Sequence, residues 1–226
     1  AGPSAGPYIA GNGSNVWAVL VVASDRGLCG GYNVAVIEKF DDLVSGKAPE
    51  EVLVVAMGRR AIRELRKRPF RIAAEFENPL VTPSYDDILP VAAKLLSLFE
   101  SGEAGEVWAV YTKFESMGRF YPVAERFLPI ERREEGAPSG LSLYEPGAEE
   151  FLRELVPRAF LAEVFRCVVE AVASEQAARM MAMAQATDNA QDLIDRLTLE
   201  MHKARQAAIT KEITEVVTSA EVMAGG

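Results

Sequence analysis

Residues 16–31 read VWAVLVVASDRGLCGG, and the architecture of the chain can be worked out from this stretch. The first eight residues are apolar on both faces, as in a parallel strand buried between two layers. The last eight begin with three polar residues and hold three glycines within five residues, which predicts a loop with unusual backbone angles. We therefore expect a buried strand whose carboxyl end opens into a crevice of the kind that binds ligands in doubly wound sheets.

Outward from this strand, short apolar runs alternate with helix-like stretches, which is typical of strands joined by crossover helices. Ser84 is the expected N-cap of one of these helices, because Asp87 follows three residues later. The last two strands flank the turn ESMG and are predicted to pair as an antiparallel hairpin at the sheet edge. The predicted strands are 16–23, 51–57, 71–76, 106–114 and 120–128, and the predicted helices are 32–44, 59–67 and 84–99.

The last third of the sequence predicts one very long C-terminal helix, because no Gly or Pro occurs between Pro157 and Gly225. At about 1.5 Å per residue it would form a rod on the order of 100 Å long. Its apolar residues follow a coiled-coil spacing, first at Phe160, Val164, Cys167, Ala171, Ser174, Ala178 and Met181, and later at Ile194, Leu197, Met201, Ala204 and Ala208. Such a stripe needs a partner helix, either from another molecule or from a segment upstream of Ala1 that has been removed.

The predicted fold class is therefore α/β, a small Rossmann-like sheet domain with crossover helices plus one very long C-terminal helix that forms half of a coiled coil. The sheet domain is expected at residues 16–146 and the helical region at 147–224. Residues 131–146 are polar and contain Gly and Pro, which favours a flexible boundary. Residues 1–15 begin without Met and resemble a linker or a truncated N-terminal segment.

Composition excludes several classes of protein. A net charge of −9 argues against a general nucleic-acid binder, which needs a surplus of Lys and Arg on one face. The sequence contains no apolar run of about 18 residues that could span a bilayer. Two distant cysteines, Cys29 and Cys167, and one histidine, His202, leave no metal-ligand spacing and no His-centred triad. We expect no cofactor, no bound metal and no catalytic residue.

Two short motifs each have a functional and a structural interpretation. The loop at residues 24–31 lacks the parts of a dinucleotide fingerprint or a P-loop, so a Rossmann-like nucleotide-binding protein using residues 25–31 is the alternative hypothesis. Cys29 is either a thiolate activated beside Arg26 or a buried structural residue. The basic helix at residues 59–68 is either a solvated face or a docking patch for an acidic partner.

Three motifs together resemble one family. SDRGLCGG at 24–31, ASEQAARMMAMAQATDNAQDLIDRL at 173–197 and HKARQAAITKEITEVV at 202–217 resemble the gamma subunit of the F-type ATP synthase. The resemblance implies a non-catalytic rotor shaft that couples proton flow to ATP synthesis, with its N- and C-terminal helices wound into an antiparallel coiled coil. The implied partners are the alpha and beta subunits of the catalytic ring, the epsilon subunit, the membrane rotor ring, and the chain's own N-terminal helix where a longer form carries it. The implied location is peripheral, at the cytoplasmic face of a bacterial inner membrane.

The resemblance also implies two partner-binding segments. The loop lies near an acidic loop of a beta subunit in the family, and the implied loop residues are Asp25, Arg26, Gly27, Leu28, Cys29, Gly30 and Gly31. The second segment lines the upper shaft, where the family touches the catalytic ring. The implied shaft residues are Arg205, Gln206, Thr210, Glu212 and Glu215.

Overall fold

The computed structural model describes residues 7–77, 82–130 and 148–224, with side chains of the last helix described from residue 154 onward. The helices are α1 (Pro7–Ala10), α2 (Tyr32–Leu43), α3 (Arg59–Leu65), α4 (Tyr85–Glu100) and α5 (Ala148–Ala224), with a 3₁₀ turn at Pro49–Glu51. The strands are β1 (Trp17–Val22), β2 (Val52–Met57), β3 (Arg71–Phe76), β4 (Glu106–Ser116) and β5 (Arg119–Leu128). The predicted boundary at residues 131–146 lies outside the described residues.

The five strands form one sheet in the order β3-β2-β1-β4-β5. The first four strands are parallel, and β5 pairs antiparallel with β4 at the edge, so the predicted hairpin is confirmed. Ser84 caps α4 as predicted, since its hydroxyl accepts from the backbone N–H of Asp87. The α/β class predicted from the alternating pattern is therefore confirmed.

Helices cover both faces of the sheet, which explains why β1 is apolar throughout. Ala18, Leu20 and Val22 point to the face packed by α4 and by part of α5. Val19 and Val21 point to the opposite face, packed by α2 and α3. Because both faces are buried, β1 shows no alternation between apolar and polar residues.

The first half of the apolar stripe on α5 requires a correction. Phe160, Val164, Cys167 and Ala171 were expected to meet a second long helix, but they are buried in the core against the sheet. Farther along, Ser174 is fully buried, and Ala178 packs on Cys29 and Tyr32. A periodic stripe shows which face of a helix is covered without showing what covers it, and here a sheet replaces the expected helix. The helix also begins before Pro157, which lies inside it.

The chain divides into two compact units, Ala1–Met180 and Met181–Gly226, which are described separately. The described part of the second unit is helical, and its side chains are exposed except for the half-buried Ala182. The second apolar stripe therefore faces solvent, with Ile194, Leu197 and Met201 each more than half exposed. Among the described helices, none combines the length and the apolar composition that a membrane span requires.

Candidate partner-binding site

The loop at residues 25–31 lies at the carboxyl end of β1, between that strand and α2. Ser24 organises its interior, since its hydroxyl donates to the carbonyl of Arg26 at 2.6 Å and its backbone N–H donates to Oδ1 of Asn33 at 3.0 Å. Asn33 in turn donates from Nδ2 to the sulfur of Cys29 at 3.2 Å. The start of α2 therefore holds the loop from within.

Asp25 faces inward and joins the loop to α3. Its Oδ1 accepts from the backbone N–H of Arg59 at 2.8 Å, and its Oδ2 lies 3.6 Å from Nε of Arg59. Only 7% of the Asp25 side chain is exposed. The first backbone N–H groups of a helix have no acceptor within the helix, so a carboxylate placed beside them supplies one. In this structure Asp25 thus contributes to holding the loop in place.

Two arginines enclose the middle of the loop at Gly27. Arg179 on α5 lies with its Nε 3.4 Å from the carbonyl oxygen of Gly27, and the same guanidinium pairs with Glu175 at 2.5 Å. On the other side, a Cβ added to Gly27 would lie 2.9 Å from the guanidinium of Arg60. A larger residue at Gly27 would therefore require the flexible Arg60 guanidinium to move aside. Sequence reasoning did not assign Arg60 or Arg179 to the site, because only the fold brings them to the loop.

Residues 28–31 are exposed except for Cys29. Leu28 has φ of +63°, in the left-handed region, and 74% of its side chain is exposed. Cys29 is buried with Tyr32 and Ala178, which supports the structural interpretation of this thiol. Gly30 adopts φ of +57°, and Gly30 and Gly31 are exposed. A leucine held in a disfavoured backbone conformation at an exposed loop tip suggests a functional role for its side chain.

Tyr32 connects the end of the loop to α5. Its hydroxyl donates to the carbonyl of Ala171 at 3.0 Å. Burial raises the pKa of Tyr32, and the nearby charge of Glu175 adds to this effect, so the phenol remains a neutral donor. The loop is thus fixed to β1, α2, α3 and α5, while Arg26 and Leu28 project from it. Within the described residues Arg26 forms no ion pair.

The five predicted residues of the upper shaft are all exposed on α5, and they fall on two faces. At about 100° per residue, Arg205, Glu212 and Glu215 lie within roughly 40° of Met201 around the helix axis. Gln206 and Thr210 lie roughly 140° and 180° away from Met201. The structure joins the latter two directly, since the Thr210 hydroxyl donates to the carbonyl of Gln206 at 2.9 Å.

The basic helix is largely neutralised by neighbouring carboxylates. Its ion pairs join Arg59 to Asp25, Arg63 and Lys67 to Glu64, Arg66 to Glu75, and Arg68 to Asp41. This pairing favours the solvated face over a docking patch. No group of acidic, histidine or cysteine side chains among the described residues has the arrangement of a metal site.

Comparison with known proteins places these features in a family. A family model described as ATP synthase matches residues 4–223. The ATP synthase gamma chain of Desulfitobacterium hafniense is 39% identical over 204 residues, covering 90% of this chain and 72% of the relative. That of Rubrobacter xylanophilus is 40% identical over 215 residues, covering 92% and 74%.

Solved structures share the fold at lower identity. The structure of OSCP, F1 and c-ring from the Euglena gracilis mitochondrial ATP synthase contains a chain with a TM-score of 0.70 and 18% identity, covering 93% of this chain and 73% of that one. The central stalk and c-ring of the Tetrahymena thermophila mitochondrial enzyme contains another, with a TM-score of 0.62 and 18% identity, covering 78% of each.

Proposed function

This chain belongs to the ATP synthase gamma-chain family, and on that premise we propose how its surfaces take part in rotary coupling. A gamma chain is a non-catalytic subunit, the rotor shaft of the central stalk. Rotation of the membrane ring turns the shaft, and the shaft drives conformational change in the catalytic ring. The observation that carries the proposal is the 39% identity to a gamma chain over 90% of this sequence.

The partners are the alpha and beta subunits of the catalytic ring, the epsilon subunit and the membrane rotor ring. The structural neighbours support this set, because they come from assemblies described as central stalk with c-ring and as F1 with c-ring. The alternative, a nucleotide-binding protein using residues 25–31, is not favoured, since the match to gamma chains extends over nearly the whole sequence.

The 25–31 loop contacts a beta subunit through Arg26 and Leu28. Its other side chains at Asp25 and Cys29 are directed inward, so the loop offers one cation and one apolar side chain on a fixed backbone. An acidic loop with an apolar neighbour is the complementary partner surface. Charge attraction at such a contact guides association and orientation more than it adds affinity.

The upper shaft uses its two faces for different partners. The exposed stripe containing Met201 takes an antiparallel partner helix, and Arg205, Glu212 and Glu215 flank that contact. Gln206 and Thr210 lie on the far side of the helix and face the catalytic ring. This division follows from helix geometry, because a residue that packs in a seam cannot also face away from it.

The chain acts at the cytoplasmic face of a bacterial inner membrane as a peripheral component. Relatives with 39% and 40% identity are bacterial gamma chains, which supports a bacterial source.

The loop contact is tested with Arg26→Ala in the subunit that carries this chain, assembled with alpha and beta subunits. We expect assembly to persist and the association rate with the ring to fall about threefold or more at low salt, with a smaller difference at high salt. Arg63→Ala, which removes an exposed arginine 3.4 Å from Glu64 on α3, is the matched control. Equal rates for the two variants at low salt would exclude Arg26 from the interface.

A further inference from the structure

A cluster of polar side chains joins α5 to β4 and β5, and none of its members belongs to the proposed partner-binding residues. Arg166 on α5 donates from its guanidinium to Oε2 of Glu125 on β5 at 2.9 Å and to the hydroxyl of Tyr111 on β4 at 3.0 Å. The Tyr111 hydroxyl donates to the same Glu125 oxygen at 2.8 Å. Lys113 also reaches Glu125, at 3.2 Å. One helix residue thus contacts both strands of the edge hairpin.

The same guanidinium is fixed along its own helix. Its Nε donates to Glu163 at 2.9 Å and another nitrogen donates to Glu170 at 2.7 Å, one turn to either side. A planar guanidinium bound by carboxylates in several directions has little freedom to rotate. Arg166 therefore holds a defined direction relative to both the helix and the hairpin.

The neighbouring contacts of α5 do not define its angle in the same way. Val164, Cys167 and Val168 are fully buried against the sheet beside Arg166. Apolar burial selects the face of the helix that meets the sheet, but it is non-directional and supplies no oriented bond to a particular strand. Farther along α5, single hydrogen bonds join Ser174 to the carbonyl of Thr112 and Tyr32 to the carbonyl of Ala171. Arg166 is the point where a charged group contacts two strands together.

The protonation states keep this cluster intact at neutral pH. Burial alone would raise the pKa of Glu125, but hydrogen bonds from Arg166, Tyr111 and Lys113 outweigh burial and hold it below its usual value. Burial, together with the hydrogen bond to Glu125, raises the pKa of Tyr111, so its hydroxyl keeps its proton. The carboxylate is therefore charged and the phenol is a donor.

We propose that Arg166 is a positioning residue that fixes the angle of α5 about its own axis relative to the sheet, and so sets the torsional stiffness of the joint between shaft helix and globular domain. The proposal rests on the rotor function above. Torque carried by α5 acts on this joint, because the helix that packs on the sheet is the one that continues to Ala224. Without the cluster, the apolar interface would let the helix turn through a wider range of angles.

The test measures the angular fluctuation of the globular domain while the ring holds the upper shaft. The rotor is assembled in an alpha–beta ring fixed to a surface, and a bead is attached to a cysteine introduced by Met117→Cys in the exposed β4–β5 turn. Both native cysteines are buried, so the label goes to the turn. The variance of the bead angle during nucleotide-free pauses is inversely proportional to the torsional stiffness.

We expect Arg166→Met to raise this variance about twofold, since it removes the directional contacts to both strands while keeping an apolar stem. Arg166→Lys should give an intermediate value, because an ammonium cannot reproduce the fork. Arg158→Met, at an exposed arginine on the same helix, is the matched control and should leave the variance unchanged.

The outcomes separate this inference from the proposed function. If Arg166→Met rotors assemble and turn over ATP normally with unchanged variance, the inference is overturned while the rotor function stands. If Arg166→Met fails to assemble, the test uses Tyr111→Phe, which removes only one hydroxyl from the cluster. An unchanged variance of the bead angle in Tyr111→Phe rotors also overturns the inference. If the unsubstituted chain does not enter the ring, both fail.

Discussion

Replacing Leu28 with glycine should separate the stability of the loop from its binding. A left-handed conformation costs a non-glycine residue roughly 1–2 kcal/mol in the folded state, and Leu28 is held there at φ +63°. Glycine removes that strain but makes the unfolded chain more flexible, which costs about 0.5–1 kcal/mol. Because these effects partly cancel, the free energy of unfolding should rise by about 0–1.5 kcal/mol.

The binding effect should be larger. Complete burial of a leucine side chain contributes about 1.5–3 kcal/mol of hydrophobic free energy. In the unbound subunit most of the Leu28 side chain is still exposed, so most of this free energy can be gained on binding. With 74% of the side chain exposed, its loss should weaken binding to the ring by about 1–2 kcal/mol, or roughly 5- to 30-fold. Leu28→Ala removes the same contact and keeps the backbone strain, so it should bind as weakly as Leu28→Gly and be slightly less stable.

Urea unfolding of the purified subunit measures the first quantity, and competition with unsubstituted subunit for the alpha–beta ring measures the second. The reasoning is wrong if both variants bind within about twofold of the original chain. It is also wrong if Leu28→Gly loses more than about 2 kcal/mol of stability, because the loop would then depend on the leucine for its own structure.

Two further predictions concern the sheet domain. Gly58→Ala should lower the free energy of unfolding by about 3 kcal/mol or more, because φ is +96° and the new Cβ would lie 2.1 Å from the carbonyl oxygen of Ala23. Urea unfolding measures this change, and a midpoint within error of the original chain would contradict the prediction. Because the folded pKa of Glu125 is below its unfolded value, its contribution to stability is complete above about pH 4.5 and disappears as the pH falls through the folded pKa. Thermal melting between pH 3 and 6 should show a weaker acid dependence for Glu125→Gln, and an identical slope would refute the role of the cluster.

Local signals in the sequence predicted most of the sheet domain. Residues 16–23 are apolar on both faces because the strand they contain is covered on both sides, and Ser84 followed by Asp87 is a capping pattern that acts within one turn. Such signals need no knowledge of the rest of the fold. The hairpin around ESMG was predictable for the same reason, since its two strands adjoin one turn.

Contacts between distant segments were not predictable in this way. The spacing of Val164 and Cys167 correctly indicated a covered face of the helix, but a sheet and a second helix bury the same periodic residues. Arg179 and Arg60 reach Gly27 only after three elements have packed together. Arg166 resembled any charged residue on a helix, because its partners at positions 111 and 125 are separated from it by a large part of the chain.

The exposed stripe on residues 181–224 has a consequence for how the subunit is made in the cell. Ile194, Leu197 and Met201 gain their hydrophobic free energy only when another helix or subunit covers them. Until an upstream segment of the same polypeptide or another subunit covers it, this stripe is therefore exposed to water. Because a covering helix stabilises the folded state by mass action, its availability should set the cellular lifetime of this segment. Supply of the antiparallel partner helix would then limit how much of the exposed segment accumulates.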